Sequence, residues 1–199
     1  MAYLLIRKAS PSERVGIPPR RRNPYIMARA PETIAAPFSQ GESRAVMLND
    51  VYNRRILELA GNIPRIGRLP SPDATATAHS RLCGSTVTID LTMEGDTVTD
   101  FAHDVKACAL GQASSSIMAR HIVGANAREL RQLREDMWRM LKENGPPPAA
   151  GRWTDVALLE PVRDYKARHA STMLTFDAVV SAIDQIAAKR AAPATAPGA

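Results

Sequence analysis

The sequence predicts an α+β domain, a three-stranded antiparallel sheet covered by helices and closed by a long C-terminal helix. Two observations carry this expectation. The run Thr86–Met93 alternates strictly, placing Val87, Ile89, Leu91 and Met93 on one face of a strand, and Glu94-Gly95-Asp96 supplies a hairpin turn before a second apolar run. Beyond residue 109 the apolar spacing turns helical, most clearly at Leu130, Leu133, Met137 and Leu141.

Each element follows in order. Structure is expected to begin at Leu48, with Val51, Tyr52, Ile56 and Leu59 at helical spacing, Asn49 or Asp50 as the cap, and Gly61 as the stop. Residues 62–73 form a loop with Pro64, Pro70 and Pro72. Ala74–Leu82 alternates weakly and is the first strand; Thr86–Met93 is the second. Thr97–Val105 returns with Val98, Phe101 and Val105, and the loss of alternation after Phe101 predicts a bulge or bend there. A small-residue helix spans Ala109–Val123, with Ala113, Ile117 and Ile122 in one stripe and Gly124 as its stop. A second helix spans Ala127–Glu143, and residues 144–151 are a loop. Trp153–Leu159 makes one or two helical turns, and Thr172–Lys189 is the closing helix, carrying Leu174, Val179, Ile183 and Ile186.

A chain of 199 residues suits one domain with extensions. Residues 1–46 hold eight Lys/Arg and three Glu, and six prolines without a sustained period, so they read as a disordered basic extension. Met47 is a candidate for the true start of the protein; the folded domain is placed at 47–189, and residues 190–199 read as a disordered Ala/Pro tail. Outside the extension the chain carries 18 basic and 17 acidic residues, which argues against a nucleic-acid surface. No apolar run approaches the roughly 18 residues of a membrane span. Two cysteines and no export-like start point to a reducing compartment, here the cytoplasm.

The chemistry centres on those cysteines. Cys83 sits in Arg81-Leu82-Cys83-Gly84-Ser85 at the mouth of the hairpin, and Cys108 where a strand gives way to a helix. A thiol at a helix N-terminus faces unpaired N–H groups and the positive end of the dipole, which favours thiolate, the form that binds metal or accepts sulfur. The plain alternative is two small buried hydrophobes.

The order helix, three strands, helices resembles the NifU N-terminal/IscU-like family of iron–sulfur cluster scaffolds, with the SufE/NifU-like fold. Leu82–Asp90 is similar to the family's first cysteine loop, Cys-Gly-Asp before a strand. Phe101–Met118 is similar to the second, Cys-x-x-x-x-Ala-Ser-x-Ser-x-Met. Lys166-Ala167-Arg168 through Thr172-Met173-Leu174 to Phe176 and Ala178 resembles the third, around Ala-Arg-x-x-Cys-Ala-Thr-Leu. The helical insert between the second and third loops looks like the SufU branch. The similarity covers about residues 47–187.

The resemblance implies a site of three cysteines and an aspartate. Carried over by position, Cys83 and Cys108 are the first two cysteines, Ser85 stands at the aspartate and Ser171 at the third cysteine. Serine is a poor ligand for iron or zinc at neutral pH. His169, two residues before Ser171 in an expected loop, is a further candidate ligand, since some members use a histidine beside the third cysteine. Asp104 and His103 are others, while His79 and His121 lack motif support. What the resemblance implies is a scaffold rather than an enzyme. It would hold iron or a [2Fe–2S] cluster, with Cys83 accepting sulfur from a cysteine desulfurase and recipient apoproteins downstream, as monomer or homodimer. The alternatives are a zinc-bound, SufU-like sulfur acceptor, and a metal-free paralogue that binds a partner.

Overall fold

The computed structural model describes residues 53–148 and 151–192. The basic extension expected at 1–46, the helix start at 48–52 with its Asn49 or Asp50 cap, and the tail from 193 lie outside these residues. Within them, helix α1 spans Arg54–Gly61, and Asn53 caps it by accepting from the Ile56 N–H at 3.0 Å.

Three strands follow, β1 Ala74–His79, β2 Thr86–Glu94 and β3 Thr97–Lys106, in the antiparallel order β1-β2-β3. Register pairs Ala74 with Leu91, Ala76 with Ile89, and Phe101 with Leu91, so these side chains share one face with Val87 and Met93. That face is the buried one. β1 ends three residues before the expected Leu82, because Ser80 turns into a tight loop in which its N–H donates to the Ser85 carbonyl at 2.9 Å.

The bulge lies earlier than expected. Thr92 pairs with Asp100 and Met93 with Val98, so Thr99 is the extra residue. Val98 and Phe101 are both buried although three residues apart, and a strand of period two reaches that only with one inserted residue between them.

Helices cover the buried face: α2 Ala109–His121, α3 Ala127–Lys142 and α4 Lys166–Ala191. Asn126 caps α3 by accepting from the Glu129 N–H at 2.8 Å. Between α3 and α4, Gly151–Asp164 winds as a 3₁₀ helix, longer than the one or two turns expected. Its buried residues are Trp153, Val156, Leu159 and Val162. A repeat of three makes a straight stripe on a three-residue turn, whereas on an α-helix it would drift off the core.

α4 packs on β1 and β2 on one side and on α2 and α3 on others. It is accordingly buried all round from Ser171 to Phe176. It starts six residues before the expected Thr172, and it runs two residues into the tail expected from 190. Against α2 the approach is close: a Cβ on Gly111 would stand 2.8 Å from the Ala107 Cβ and 3.0 Å from the Ser171 carbonyl oxygen. Only glycine fits there without displacing backbone. Among the described residues no helix is long and apolar enough to cross a membrane.

The other face of the sheet carries Asp90, which is fully buried. The loop after α1 runs along the outer edge of β3, where Gly67 N–H donates to the His103 carbonyl at 2.9 Å, then brings Arg68 to Asp90. Asp90 accepts from Arg68 Nε at 2.6 Å and Nη2 at 2.8 Å, from the Leu69 N–H at 3.0 Å and from Thr75 Oγ1 at 2.7 Å. Burial pushes this carboxyl up, but the bonds from Arg68, Thr75 and Leu69 outweigh it and hold it below the usual carboxylate range.

Asp90→Asn should therefore cost about 2 kcal/mol in urea unfolding. The stabilisation from an acid whose pKa falls on folding is complete above its unfolded value and is lost as pH falls through the folded one. Acidifying below about pH 4 should thus narrow the gap between wild type and Asp90→Asn.

Candidate functional site

Three segments meet at the end of the sheet where β1 leaves and β2 enters. The first is the loop Ser80–Ser85. It closes on itself, with the Gly84 N–H donating to the Ser80 carbonyl at 2.9 Å, and Gly84 takes φ +68°, a conformation that favours glycine. The turn leaves Cys83 exposed while Ser80 and Ser85 are buried. Cys83 Sγ lies 3.3 Å from Ser80 Oγ and 3.0 Å from Ser85 Oγ. In the thiolate both hydroxyls can donate to sulfur. Led by Ser80 and then Ser85, these donors outweigh burial and lower the Cys83 thiol to about 7.

The second segment is the junction of β3 and α2. Cys108 is the N-cap residue of α2, but its side chain makes no capping bond. Its half-buried sulfur lies 3.4 Å from Ser171 Oγ instead. The third segment is the start of α4, where the Ser171 hydroxyl donates to the Arg168 carbonyl at 3.0 Å. Ser171 is also the smallest of the influences that lower the Cys83 thiol. The glycine gap at Gly111 is what lets α4 bring Ser171 to Cys108.

The structure thus gathers Cys83, Ser85, Cys108 and Ser171, and it does not bring His169 to them. His169 lies inside the first turns of α4 rather than in a loop. Its Nε2 is 3.1 Å from the Val162 carbonyl oxygen and 2.9 Å from that of Arg163. His103 sits at mid-strand opposite Ile89, its ring against Phe101 and its Nε2 3.0 Å from the Pro64 carbonyl oxygen; burial pushes its pKa down. Asp104 is exposed and pairs with Lys106 at 3.4 Å. His79 meets Thr86 Oγ1 at 3.1 Å, and His121 packs edge-on against Trp153. Sequence reasoning missed Ser80. Its signal is the run Ser80-Arg81-Leu82-Cys83-Gly84-Ser85, in which serines flank the cysteine within one tight loop.

The donor set decides what chemistry is open. Two thiols and three hydroxyls can hold a thiolate and pass sulfur. Among the described residues no three His, Cys, Asp or Glu side chains group so as to hold a metal ion. A tetrahedral zinc or iron site needs four good donors, and this set supplies two from one chain.

A family model described as the NifU-like N-terminal domain matches residues 51–172. The iron–sulfur cluster assembly scaffold protein IscU of Thermotoga maritima is 26% identical over 136 residues, covering 68% of this chain and 94% of its own. The crystal structure of a nitrogen-fixing NifU-like protein, N-terminal part, from Brucella abortus is 66% identical. It covers 72% of this chain and 99% of its own, with a TM-score of 0.71. A protein described as a candidate iron–sulfur cluster assembly scaffold of the SUF system, from Fervidobacterium islandicum, shares the fold at 18% identity and a TM-score of 0.63, covering 68% of this chain and 98% of its own.

Two outcomes follow from the geometry. In a Cys108→Ser background, iodoacetamide should alkylate Cys83 with a pH midpoint of about 7, and Ser85→Ala should move that midpoint upward, because the thiolate loses a donor. Ser85→Asp with Ser171→Cys adds a carboxylate beside Cys83 and a thiolate beside Cys108. Chelator competition should then show at least about a tenfold gain in zinc affinity over wild type; an unchanged affinity in a folded variant would mean the four positions do not face one ion.

Proposed function

The chain belongs to the NifU-like N-terminal domain family, and from that membership we propose that it serves iron–sulfur cluster assembly as a sulfur-accepting scaffold. Cys83 takes sulfur from the persulfide of a cysteine desulfurase. The observation that carries this reading is an exposed thiol held at about 7 by two buried hydroxyls, with a second thiol across Ser171.

The transfer is redox-neutral. The Cys83 thiolate attacks the terminal sulfur of the desulfurase persulfide. A new sulfur–sulfur bond forms on Cys83 as the old one breaks, and the desulfurase cysteine leaves as thiolate. Ser80 and Ser85 hold negative charge on Cys83 before attack, and the exposed loop admits the donor cysteine. A thiol with a pKa near ambient pH combines a large thiolate fraction with good nucleophilicity.

The chain is a stoichiometric acceptor in this role, not a turnover catalyst. The family's cluster is cargo, and the transfer runs through sulfur alone, because two good donors do not complete a metal's coordination. A zinc-assisted transfer meets the same shortfall. The metal-free partner-binding reading is favoured over zinc by the hydroxyls at Ser85 and Ser171, and it shares the desulfurase as partner.

Incubation with a cysteine desulfurase and cysteine, followed by mass spectrometry of the intact protein, tests the reading. Wild type and Cys108→Ser should each gain one sulfur atom, removable by reductant, and Cys83→Ser should gain none. Sulfur on Cys108 in the Cys83→Ser variant, or no sulfur on wild type, would overturn the assignment of Cys83 as acceptor.

A further inference from the structure

A cleft of about 550 Å³ opens where α3 ends and α4 begins, lined by Leu141, Lys142, Asn144, Arg163, Asp164, Lys166 and His169. That is the size of a small-ligand site. Lys142 and Lys166 bring two cations to it beside the carboxylate of Asp164, and Arg163 brings a third that is already paired with Glu160. Arg163 Nη2 donates to Glu160 at 2.6 Å and to the Gly145 carbonyl at 3.3 Å. Its Nε is buried with no partner.

His169 shares this shortfall. It is 2% exposed, and Nε2, against two carbonyl oxygens, must carry a hydrogen. Its Nδ1 is buried and meets no protein group. In the neutral ring that nitrogen is an acceptor, so a group that meets it donates a hydrogen. An orphaned buried polar atom is costly, and here two of them belong to the lining of one cleft. The N-terminus of α4 lies at the same place, and the Tyr165 side chain does not cap it. The first turn of a long helix attracts anions.

We propose that this cleft binds a phosphate group that retains a proton, as free hydrogen phosphate or as the singly protonated monoester of a small molecule. The cations and the helix N-terminus take the charged oxygens, and the P–O–H group donates to His169 Nδ1. Sulfate has the same shape but no proton near neutral pH, so it leaves Nδ1 unmet. The site stands apart from the sulfur reading and does not use Cys83 or Cys108.

Isothermal titration of the full chain with inorganic phosphate, glycerol phosphate and sulfate tests this. Both phosphates should bind saturably, with sulfate about tenfold weaker; the tighter of the two phosphates identifies free anion or monoester as the source. Lys142→Ala with Lys166→Ala, both exposed, should keep the melting temperature and weaken phosphate about tenfold. His169→Leu, checked by melting temperature to be folded, removes the acceptor, so phosphate and sulfate should bind alike. No saturable phosphate heat, sulfate equal to phosphate in wild type, or an unaltered lysine variant would each overturn the proposal. So would an acidic peptide binding where phosphate does not, which would make the cleft a carboxylate dock.

Discussion

The close approach of α4 to α2 at Gly111 is the contact on which the candidate site depends. Cys83 rides on a loop of the sheet, Cys108 on the end of β3 and Ser171 on a helix that starts 57 residues after α2 does. Nothing local joins them. With the Ser171 carbonyl oxygen 3.0 Å from where a Gly111 Cβ would be, the two helices cannot separate without losing that packing, and cannot accept a larger residue without shifting. The alanines of β1, at 74 and 76, serve the same end from the sheet side, where short side chains let a central helix lie close.

The hydroxyls at this site separate two properties that cysteine and aspartate combine. A carboxylate beside a thiolate is a metal ligand and a repulsive neighbour at once. A hydroxyl contributes little to metal binding but donates to a thiolate. Ser80 and Ser85 thus keep the sulfur reactive while giving up coordination. The depressed Cys83 thiol arises from neutral donors, so it needs neither a cation nor a helix N-terminus beside it. The helix N-terminus that sequence reasoning credited with activating a thiol belongs to Cys108, whose sulfur does not cap it.

What the sequence made legible follows from how many faces each element presents. β2 has one buried face, and its expected bounds of Thr86–Met93 differ from the observed Thr86–Glu94 by one residue. The full 3₁₀ segment is equally legible in principle, since Trp153, Val156, Leu159 and Val162 repeat at three, but α-helical spacing of three and four finds only the turns at Trp153–Leu159. The loss of alternation after Phe101 points to a bulge there, whereas the odd step from Val98 to Phe101 is the trace of the extra residue at Thr99. At the site, residue types and family likeness named Cys83, Cys108, Ser85 and Ser171. Ser80 carries no metal-ligand signature, and its contribution appears only once the loop closes.

The start of α4 shows most clearly why the remainder was hidden. His169 and Ser171 are two residues apart on a helix, hence roughly 200° apart around its axis. One looks toward the cationic cleft and the carbonyls of the 3₁₀ segment, the other toward the thiols. A helix turn with polar tasks on opposite sides has no apolar stripe and reads as a loop, which is why the helix was expected to begin at Thr172 and why His169 was set beside the cysteines. Taken as loop, the two side chains could face one site; wound as helix, they cannot. The same winding that withdraws His169 from the sulfur site buries its ring beside Arg163, leaving the unmet nitrogen that marks the cleft as a site of its own.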